Sequence, residues 1–262
     1  YEDSLRRMGR SLVHRGPDDE GIWMDPMAGI GLAHQRLSII DLSSEGRQPM
    51  LSASGRYVIA YNGEVYNFPE LRKKLDHAGD SHWRGHSDTE VILATIEKWG
   101  LPQALTEFVG MFAFALWDEK NQELFAARDR FGIKPFYFYH YKKTFYFASE
   151  IKAFRAAGIK LEPNYKKINE FLRWGVLDFN NETWFKNIFS LQPGHFLKFK
   201  KNKIITKRYY YLPDQIKKKK EINFNTAKTK FADLIYKSVK KHCQSDRTIG
   251  VHLSGGVDSS VV

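Results

Sequence analysis

The segment from Leu253 to Ser260 constrains the fold of this chain more than any other stretch. It reads Leu-Ser-Gly-Gly-Val-Asp-Ser-Ser and follows the apolar run Ile249 to Leu253. Paired glycines let backbone N–H groups approach an anion without a Cβ in the way. A helix that begins near Asp258 would point the positive end of its dipole at the same anion. The pattern predicts a strand, a phosphate-binding loop and a helix in succession.

The residue types in this loop suit the phosphates of a nucleotide with a divalent cation. Ser254 and Ser259 offer hydroxyl donors, and Asp258 offers a carboxylate for Mg²⁺. The loop is not a Walker A loop, because no Gly-Lys-Ser or Gly-Lys-Thr follows the glycines. A plain Gly-Gly turn before a Ser-capped helix is the alternative interpretation. The candidate ATP-binding residues are Leu253, Ser254, Gly255, Gly256, Asp258 and Ser259.

The loop resembles the PP-loop of the ATP pyrophosphatases. Enzymes of that kind cleave ATP between the α- and β-phosphates and so adenylate a substrate. The resemblance implies ATP and Mg²⁺ as cofactors, and it places the start of a doubly wound nucleotide-binding domain at the end of the chain.

The net charge of +11 is concentrated in one part of the sequence. Residues 198–241 hold fifteen Lys and Arg against three acidic residues, so the rest of the chain is close to neutral. The densest run, Lys217 to Lys220, lies near Pro213 and is typical of a solvated linker. No RNA-recognition or helix-turn-helix signature accompanies it. We therefore expect no nucleic-acid partner.

Other compositional features point to a cytoplasmic protein without a membrane span. No window approaches the roughly 18 apolar residues that a membrane helix needs, and residues 1–13 lack the apolar core of a signal peptide. Cys243 is the single cysteine, which excludes an intrachain disulfide and fits a reducing compartment.

Hydrophobic periodicity predicts a mixed α+β architecture. Apolar residues at helical spacing favour helices over Pro69 to Ala78, Asp88 to Trp99 and Asn225 to Cys243. β-rich runs favour five strands, which are Arg56 to Tyr61, Gly110 to Trp117, Glu123 to Ala127, Phe136 to Tyr141 and Thr144 to Phe147. We divide the chain into a first domain over 1–210, a basic linker over 211–224 and the beginning of a second domain over 225–262.

Three features of the first domain suit recognition of an α-amino acid. Arg36 offers a planar fork for a carboxylate, and Asp88 offers a counter-charge for an ammonium. Asn62 and Gly63 follow a predicted strand, where Asn-Gly favours a hairpin turn. The functional alternative is an oxyanion hole, in which an amide and a backbone N–H stabilise a tetrahedral intermediate by about 3 kcal/mol each.

The surroundings of these residues resemble the class II glutamine amidotransferase domain of glutamine-hydrolysing asparagine synthetases. The phosphate loop follows in the order that this family has. The motifs that carry the resemblance are His14 to Gly21, Ala33 to Asp41, Tyr61 to Asn67, Ser87 to Glu90 and Ala127 to Pro135.

The resemblance implies an N-terminal-nucleophile hydrolase fold with four αββα layers. By this comparison Arg36 binds the glutamine carboxylate and Asp88 the α-amino group. Asn62 and Gly63 form the oxyanion hole, with Glu64 beside them. Four residues line the pocket with their backbone, which are Leu37, Ser38, Ile39 and Ile40.

The resemblance also implies a reaction for the parent protein. Glutamine would be hydrolysed to glutamate and ammonia, and the ammonia would attack an acyl-adenylate made from ATP and a carboxylate acceptor. Aspartate is the expected acceptor and a sugar acid is the alternative. The products would be an amide, AMP and pyrophosphate, and a homodimer is compatible with this interpretation.

One departure from the family pattern separates three hypotheses. The family's nucleophile is an N-terminal cysteine, whereas this sequence begins with Tyr1 and Cys243 lies far from the motifs. We expect that the start of the protein is missing and that the fragment does not hydrolyse glutamine. The alternatives are an enzyme like the β-lactam synthetases, which act without glutamine, and a non-catalytic binding module.

Overall fold

The computed structural model describes residues 2–79, 83–176, 180–216 and 222–261. The run Lys217 to Lys220 of the expected linker lies outside these residues. The helices are α1 (Glu2–Arg10), α2 (Phe68–His77), α3 (Asp88–Trp99), α4 (Leu101–Glu107), α5 (Lys152–Ala156), α6 (Tyr165–Trp174), α7 (Leu212–Gln215), α8 (Phe224–His242) and α9 (Val257–Val261). The strands are β1 (Asp19–Asp25), β2 (Ile30–Arg36), β3 (Met50–Leu51), β4 (Tyr57–Val65), β5 (Gly110–Asp118), β6 (Glu123–Arg128), β7 (Tyr137–Tyr141), β8 (Thr144–Ala148), β9 (Ile188–Ser190), β10 (His195–Lys200) and β11 (Lys203–Arg208).

A six-stranded antiparallel sheet forms the centre of the first domain. Its strand order is β11-β10-β6-β5-β4-β3. Side chains alternate between its two faces because the period of a strand is two. One face packs Ile59, Phe112 and Phe114 against α2, α3 and α4, where Leu75 and Ile92 are fully buried.

The opposite face of this sheet packs against a second layer of strands. That layer consists of the pair β1-β2 and the three-stranded sheet β8-β7-β9. Small residues on the central sheet, such as Ala113 and Ala115, meet aromatic side chains of the second layer, such as Phe138 and Phe147. A third apolar cluster joins Met8 of α1 and Phe154 of α5 to the outer face of this layer. The order of layers is therefore αββα, and the predicted fold class is confirmed.

A buried carboxylate organises the loop that follows β6. Asp129 is fully buried and accepts hydrogen bonds from the N–H groups of Phe112, Phe131, Ile133 and Lys134 at 3.0–3.2 Å. Four donors satisfy a carboxylate that would otherwise be costly to bury.

Two parts of the sequence interpretation are wrong about local structure. Asn62 and Gly63 do not form a hairpin turn, because β4 continues through them to Val65 and stays paired with β5. The tight association with β5 outweighs the local turn preference of Asn-Gly. Residues 249–253 do not form the predicted strand, since the described structure contains no neighbouring strand with which they pair.

Helices α1 and α4 were not anticipated from the sequence. The segment of α1 is rich in charge and buries only Met8 and Gly9, so few apolar residues mark it as a helix in the sequence. Gly100 ends α3 as expected, with φ of 76°, but Pro102 opens α4 instead of ending helical structure. Proline is tolerated in the first turn of a helix because the N–H groups there lack intrahelical partners. Across the described ranges, none of the helices combines the length and apolarity required to cross a membrane.

Candidate functional site

The site is built on the open edge of β4. This strand pairs with β5 along its whole length but with β3 only at Val58 and Ile59. Beyond that point the N–H of Tyr61 donates to Gln48 Oε1 at 2.7 Å, and the N–H of Val65 donates to Asp88 Oδ2 at 3.0 Å. Alternate residues of a strand direct their N–H groups to the same side. The Gly63 N–H therefore points to this open edge, between two N–H groups that side chains already occupy.

Gly63 is required by the close approach of β4 and β5. Its φ is +150°, and a Cβ at this position would lie 2.1 Å from the carbonyl oxygen of Met111. Any larger residue would push the strands apart or rotate the peptide. Glycine thus fixes the direction of an N–H donor at the open edge.

Asn62 and His34 bring unpaired nitrogen atoms to the same region. Asn62 Nδ2 and His34 Nδ1 are buried without a hydrogen-bond partner among the described residues. His34 Nε2 lies 2.9 Å from the Tyr61 carbonyl oxygen, and burial lowers the pKa of His34 to about 4. The imidazole is therefore neutral near pH 7. Buried polar atoms without partners are rare and costly, which indicates that a ligand or another segment satisfies them.

Both residues line a cleft of about 350 Å³ between the two strand layers. Gly31 and Ala33 of β2 form one wall, and Phe145 and Phe147 of β8 form the other. Among the described strands, β2 pairs with β1 alone and β8 with β7 alone, so each presents a free backbone edge. Free edges leave N–H and C=O groups available to a further strand.

Asp88 is a buried carboxylate at the start of α3. Its Oδ2 accepts from the Tyr61 hydroxyl at 2.6 Å and from the Val65 N–H. Burial raises its pKa, although the hydrogen bonds oppose this effect. Burial and the nearby Asp88 charge also raise the pKa of Glu64, while Lys134 opposes the shift. A cationic group that entered here would favour the ionised form of both carboxyls.

Arg36 is a buried guanidinium at the end of β2. Only 7% of this residue is exposed. It donates to the carbonyl oxygens of Ser43, at 2.9 Å, and Asp41, and Gly46 packs so closely that a Cβ there would lie 2.1 Å from Nη2. Among the described ion pairs none involves Arg36. A buried guanidinium without a carboxylate partner suits a ligand carboxylate.

The loop after β2 is tied to the residues that precede α3. Asp41 is fully buried and accepts from the N–H groups of Ser43 at 3.1 Å and His86 at 2.9 Å. Burial alone would raise the pKa of Asp41, but these hydrogen bonds and the Ser43 hydroxyl lower it overall. Gly85 allows the contact, since a Cβ there would lie 2.3 Å from Asp41 Oδ2. The loops that carry Arg36 and Asp88 therefore meet.

The structure brings most of the predicted glutamine-binding residues to the open end of β4. Arg36, Asn62, Gly63, Glu64 and Asp88 lie on β2, β4 and α3, which the contacts above connect. In the pocket segment Leu37 is exposed and Ser38 is buried. Sequence reasoning did not assign roles to Gln48, Tyr61, His34 and Asp41, although three of them lie within the motifs. For His34 the available signal was a polar residue within the run that forms β2.

The predicted phosphate loop forms a separate, exposed feature. The hydroxyl groups of Ser254 and Ser259 form a hydrogen bond of 2.8 Å. Gly255 has a φ of +77°, and the space where a Cβ would lie is open. Helix α9 begins at Val257, close to the predicted start at Asp258. The hydrogen bonds that the structure describes for this loop join its own residues.

Comparison with protein-family models identifies the family of this chain. A model described as glutamine amidotransferase domain matches residues 1–210. The chain belongs to this family. A second model, described as asparagine synthase, matches residues 230–262.

Relatives of this amidotransferase domain include glutamine-hydrolysing asparagine synthetases. A putative asparagine synthetase of Methanocaldococcus jannaschii is 36% identical over 285 residues, which cover 100% of this chain and 53% of the relative. Asparagine synthetase 1 of Bacillus subtilis is 34% identical over 268 residues, which cover 100% of this chain and 40% of the relative. The resemblance found from the motifs is confirmed. The chain spans about half the length of these relatives or less.

A solved structure supports the fold of the amidotransferase domain. The glutamine phosphoribosylpyrophosphate amidotransferase of Bacillus subtilis matches with a TM-score of 0.58 at 20% identity, over 79% of this chain and 47% of that one. At this level of identity the match concerns the fold alone.

Proposed function

We propose that the first domain hydrolyses glutamine to glutamate and ammonia when a cysteine nucleophile occupies the cleft beside Asn62. Arg36 would bind the substrate carboxylate and Asp88 its ammonium group. Both residues lie on segments that meet beside the open edge of β4, so the side-chain amide of glutamine would extend toward Asn62 and Gly63. Glu64 and the backbone of residues 37–40 would complete the pocket.

The observation that carries this proposal is the pair of donors at Asn62 and Gly63. Asn62 Nδ2 is buried without a partner among the described residues, and the Gly63 N–H points to the open edge of β4. Two fixed donors in a site shielded from water stabilise the oxyanion of a tetrahedral intermediate. They need no reorganisation when the charge develops, because the pairing of β4 with β5 holds them in place.

We further propose that the cleft between β2 and β8 takes an extended strand that carries the nucleophile. Both walls are free edges among the described strands, and the lining combines apolar residues with polar ones such as His34, Asn62 and Ser149. Cys243 does not serve this purpose, because it is exposed at the end of α8 and outside the cleft lining. Without such a strand the 262-residue chain would release no ammonia from glutamine.

The second half of the reaction would belong to the phosphate loop. The amides near Gly255 and Gly256, together with Ser254 and Ser259, would hold the phosphates of ATP, and Leu253 would lead into the loop. Asp258 is the proposed ligand of Mg²⁺, which would neutralise phosphate charge when bound. Support comes from the open surroundings of Gly255 and from the match of residues 230–262 to the asparagine synthase model. Aspartate, or another carboxylate, would accept the ammonia as an adenylate.

The decisive experiment uses the protein expressed from its complete gene. Intact mass and N-terminal sequencing identify the first residue, and ammonia release from glutamine is measured before and after alkylation. A first-position cysteine with activity abolished by alkylation supports the proposal. A protein that synthesises its product from ATP without consuming glutamine fits the β-lactam-synthetase-like alternative. One that neither releases ammonia nor responds to ATP and Mg²⁺ fits a binding module.

Two variants test the assigned roles. Asn62→Ala should lower kcat for glutamine hydrolysis by about 10²- to 10³-fold with a small change in KM, as expected for loss of an oxyanion donor. Asp88→Asn should instead raise KM. Since the pKa of Asp88 is raised and the ammonium needs the ionised form, KM of the parent protein should rise as pH falls through that pKa. The pH dependence should disappear in Asp88→Asn; an unchanged profile would remove Asp88 from the ammonium site.

A further inference from the structure

A short segment after α8 contacts the loop that holds Arg36. This segment, residues 242–247, links α8 to the residues that lead into the phosphate loop. The Asp246 N–H donates to the Ile39 carbonyl oxygen at 2.9 Å, and Arg247 Nε donates to the Ser38 carbonyl oxygen at 3.2 Å. Two consecutive residues of this segment thus donate hydrogen bonds to two consecutive carbonyl groups of the loop after β2.

Asp246 makes the most connected of these contacts. Its Oδ2 accepts from the Asp41 N–H at 2.7 Å and lies 2.8 Å from His86 Nε2. The other ring nitrogen of His86 lies 3.6 Å from the Asp41 carboxylate. One side chain therefore joins the loop after β2 to the residues that precede α3. The His86 hydrogen bond and the Asp41 N–H lower the pKa of Asp246, so the carboxylate is ionised near neutral pH.

Further contacts hold the same segment against the end of β4. Gln244 Nε2 donates to the Tyr66 carbonyl oxygen at 2.8 Å, and the rings of Tyr66 and His242 lie 4.1 Å apart. Arg247 also approaches Asp18 at 3.6 Å, while the Asp18 carboxylate accepts from the Ser38 N–H. The segment therefore touches the pocket from three sides: the β2 loop, the approach to α3 and the end of β4.

These contacts reach Arg36 through the backbone of one residue. The Asp41 N–H binds Asp246, and the Asp41 carbonyl oxygen accepts from the Arg36 guanidinium. Release of Asp246 would free the backbone of Asp41 to rotate about its φ and ψ angles, and the guanidinium would lose a fixed acceptor. Hydrogen bonds to charged groups are stronger than neutral ones, so Asp246 is the contact whose loss should matter most.

We propose that Asp246 is a positioning residue for the glutamine site, which fastens the loop over residues 38–41 to the second region and so holds Arg36 in its binding orientation. The inference rests on the proposed function, since it assumes that Arg36 binds the glutamine carboxylate. Glutamine affinity would then depend on how residues 242–247 pack against the loop over residues 38–41. A residue of the ATP-binding half would thereby tune a site that it does not enter.

The test compares Asp246→Ala and Asp246→Asn with Asp233→Asn in the protein from its complete gene. Asp233 is an acid on α8 whose described partner is Lys237 on the same helix, so it controls for loss of negative charge. Asp246→Ala should raise KM for glutamine about tenfold and change kcat less than twofold. Asp246→Asn keeps an oxygen for the Asp41 N–H and should give a smaller increase. Activity with added ammonium chloride should not change.

Hydrogen exchange of the backbone amides of Asp41 and Ser43 separates the outcomes. Faster exchange in Asp246→Ala, together with the rise in KM, supports the proposal. Unchanged exchange at these amides, or a fall in kcat without a rise in KM, overturns it. A parent protein that releases no ammonia from glutamine but still shows faster exchange in Asp246→Ala would overturn the glutamine assignment while leaving the structural link intact.

Discussion

Two helices with similar sequence patterns, α2 and α8, differ completely in what they bury. Leu71 and Leu75 of α2 are each 1% exposed against the central sheet, whereas Phe231 and Leu234 of α8 are each 67% exposed. Both helices have apolar residues at helical spacing. The pattern therefore identifies the face that a helix is suited to bury, but it does not show that a partner is present. Helix α2 meets the central sheet, whereas none of the described residues of α8 is buried.

The difference extends to how the two regions hold their functional motifs. In the first region, Asn62 and Gly63 are fixed by a strand that pairs along its full length. In the second region, the phosphate loop is exposed and its described hydrogen bonds are local. The hydrogen bonds and ion pairs described between the two regions come from residues 241–247. Both regions carry recognisable motifs. The residues at Asn62 and Gly63 are held by packing and strand pairing, whereas the phosphate loop is not.

The largest expected loss of stability comes from a substitution at Gly63, where β4 packs closely against β5. Gly63→Ala should reduce the free energy of unfolding by at least about 3 kcal/mol, because its Cβ would lie 2.1 Å from a backbone oxygen of the central sheet. Gly158→Ala is the matched control, since its φ of +88° is also positive but its surroundings are open. The control should lose only about 1 to 2 kcal/mol. Urea unfolding followed by tryptophan fluorescence measures both; equal losses would show that β4 and β5 can separate locally.

A pair of leucine truncations tests the comparison directly. Leu75→Ala should cost about 2 to 5 kcal/mol, because it leaves a cavity between α2 and the central sheet. Leu234→Ala should change the free energy of unfolding by less than about 0.5 kcal/mol, as is usual for exposed positions. Thermal unfolding of the 262-residue chain at low concentration checks both. A large loss in Leu234→Ala would mean that the apolar face of α8 is covered in solution, and a concentration dependence of that loss would identify a second copy as the cover.

Particular residues show how far sequence reasoning reached. Helix α3 was predicted with its observed bounds because acidic residues mark its first turn, apolar residues recur at helical spacing and Gly100 follows it. The motifs also named Arg36 and Asp88, and the five β-rich runs correspond to β4, β5, β6, β7 and β8. Sequence patterns could not indicate that β4 continues through Asn62 and Gly63, because the pairing with β5 is a long-range contact.

Nor could local patterns reveal the contacts that connect distant residues. Asp246 lies 205 positions from Asp41, and the acidic residue has no motif around it. Asp41 itself lies in a motif, but its role as a buried acceptor follows only from the way two loops meet. The sequence therefore named candidate residues for the site, whereas the contacts that orient them required the fold.

The smallest expected effect concerns surface charge, where the two regions should differ least. Glu150 accepts from His14 Nε2 at 2.8 Å and Arg15 Nη1 at 3.0 Å, and it lies 3.2 Å from Lys152 Nζ. Burial would raise its pKa, but these three partners lower it to about 2. Because the folded pKa lies below the ordinary value of 4.5, the stabilisation is present above pH 4.5 and is lost as pH falls toward 2.

Glu150→Gln should therefore cost about 1 kcal/mol near pH 7, since the group is only partly shielded from solvent, and nothing near pH 2. Asp233→Asn removes a fully solvated pair on α8, whose side chains are 63% and 66% exposed, and should be neutral at every pH. Urea unfolding of the parent and both variants at pH 7, 4 and 2.5 measures the difference. If Glu150→Gln were neutral at pH 7, the cluster would contribute no more than an ordinary surface ion pair. Packing would then be what holds Glu150 beside His14 and Arg15, and the contrast between the regions would rest on apolar burial alone.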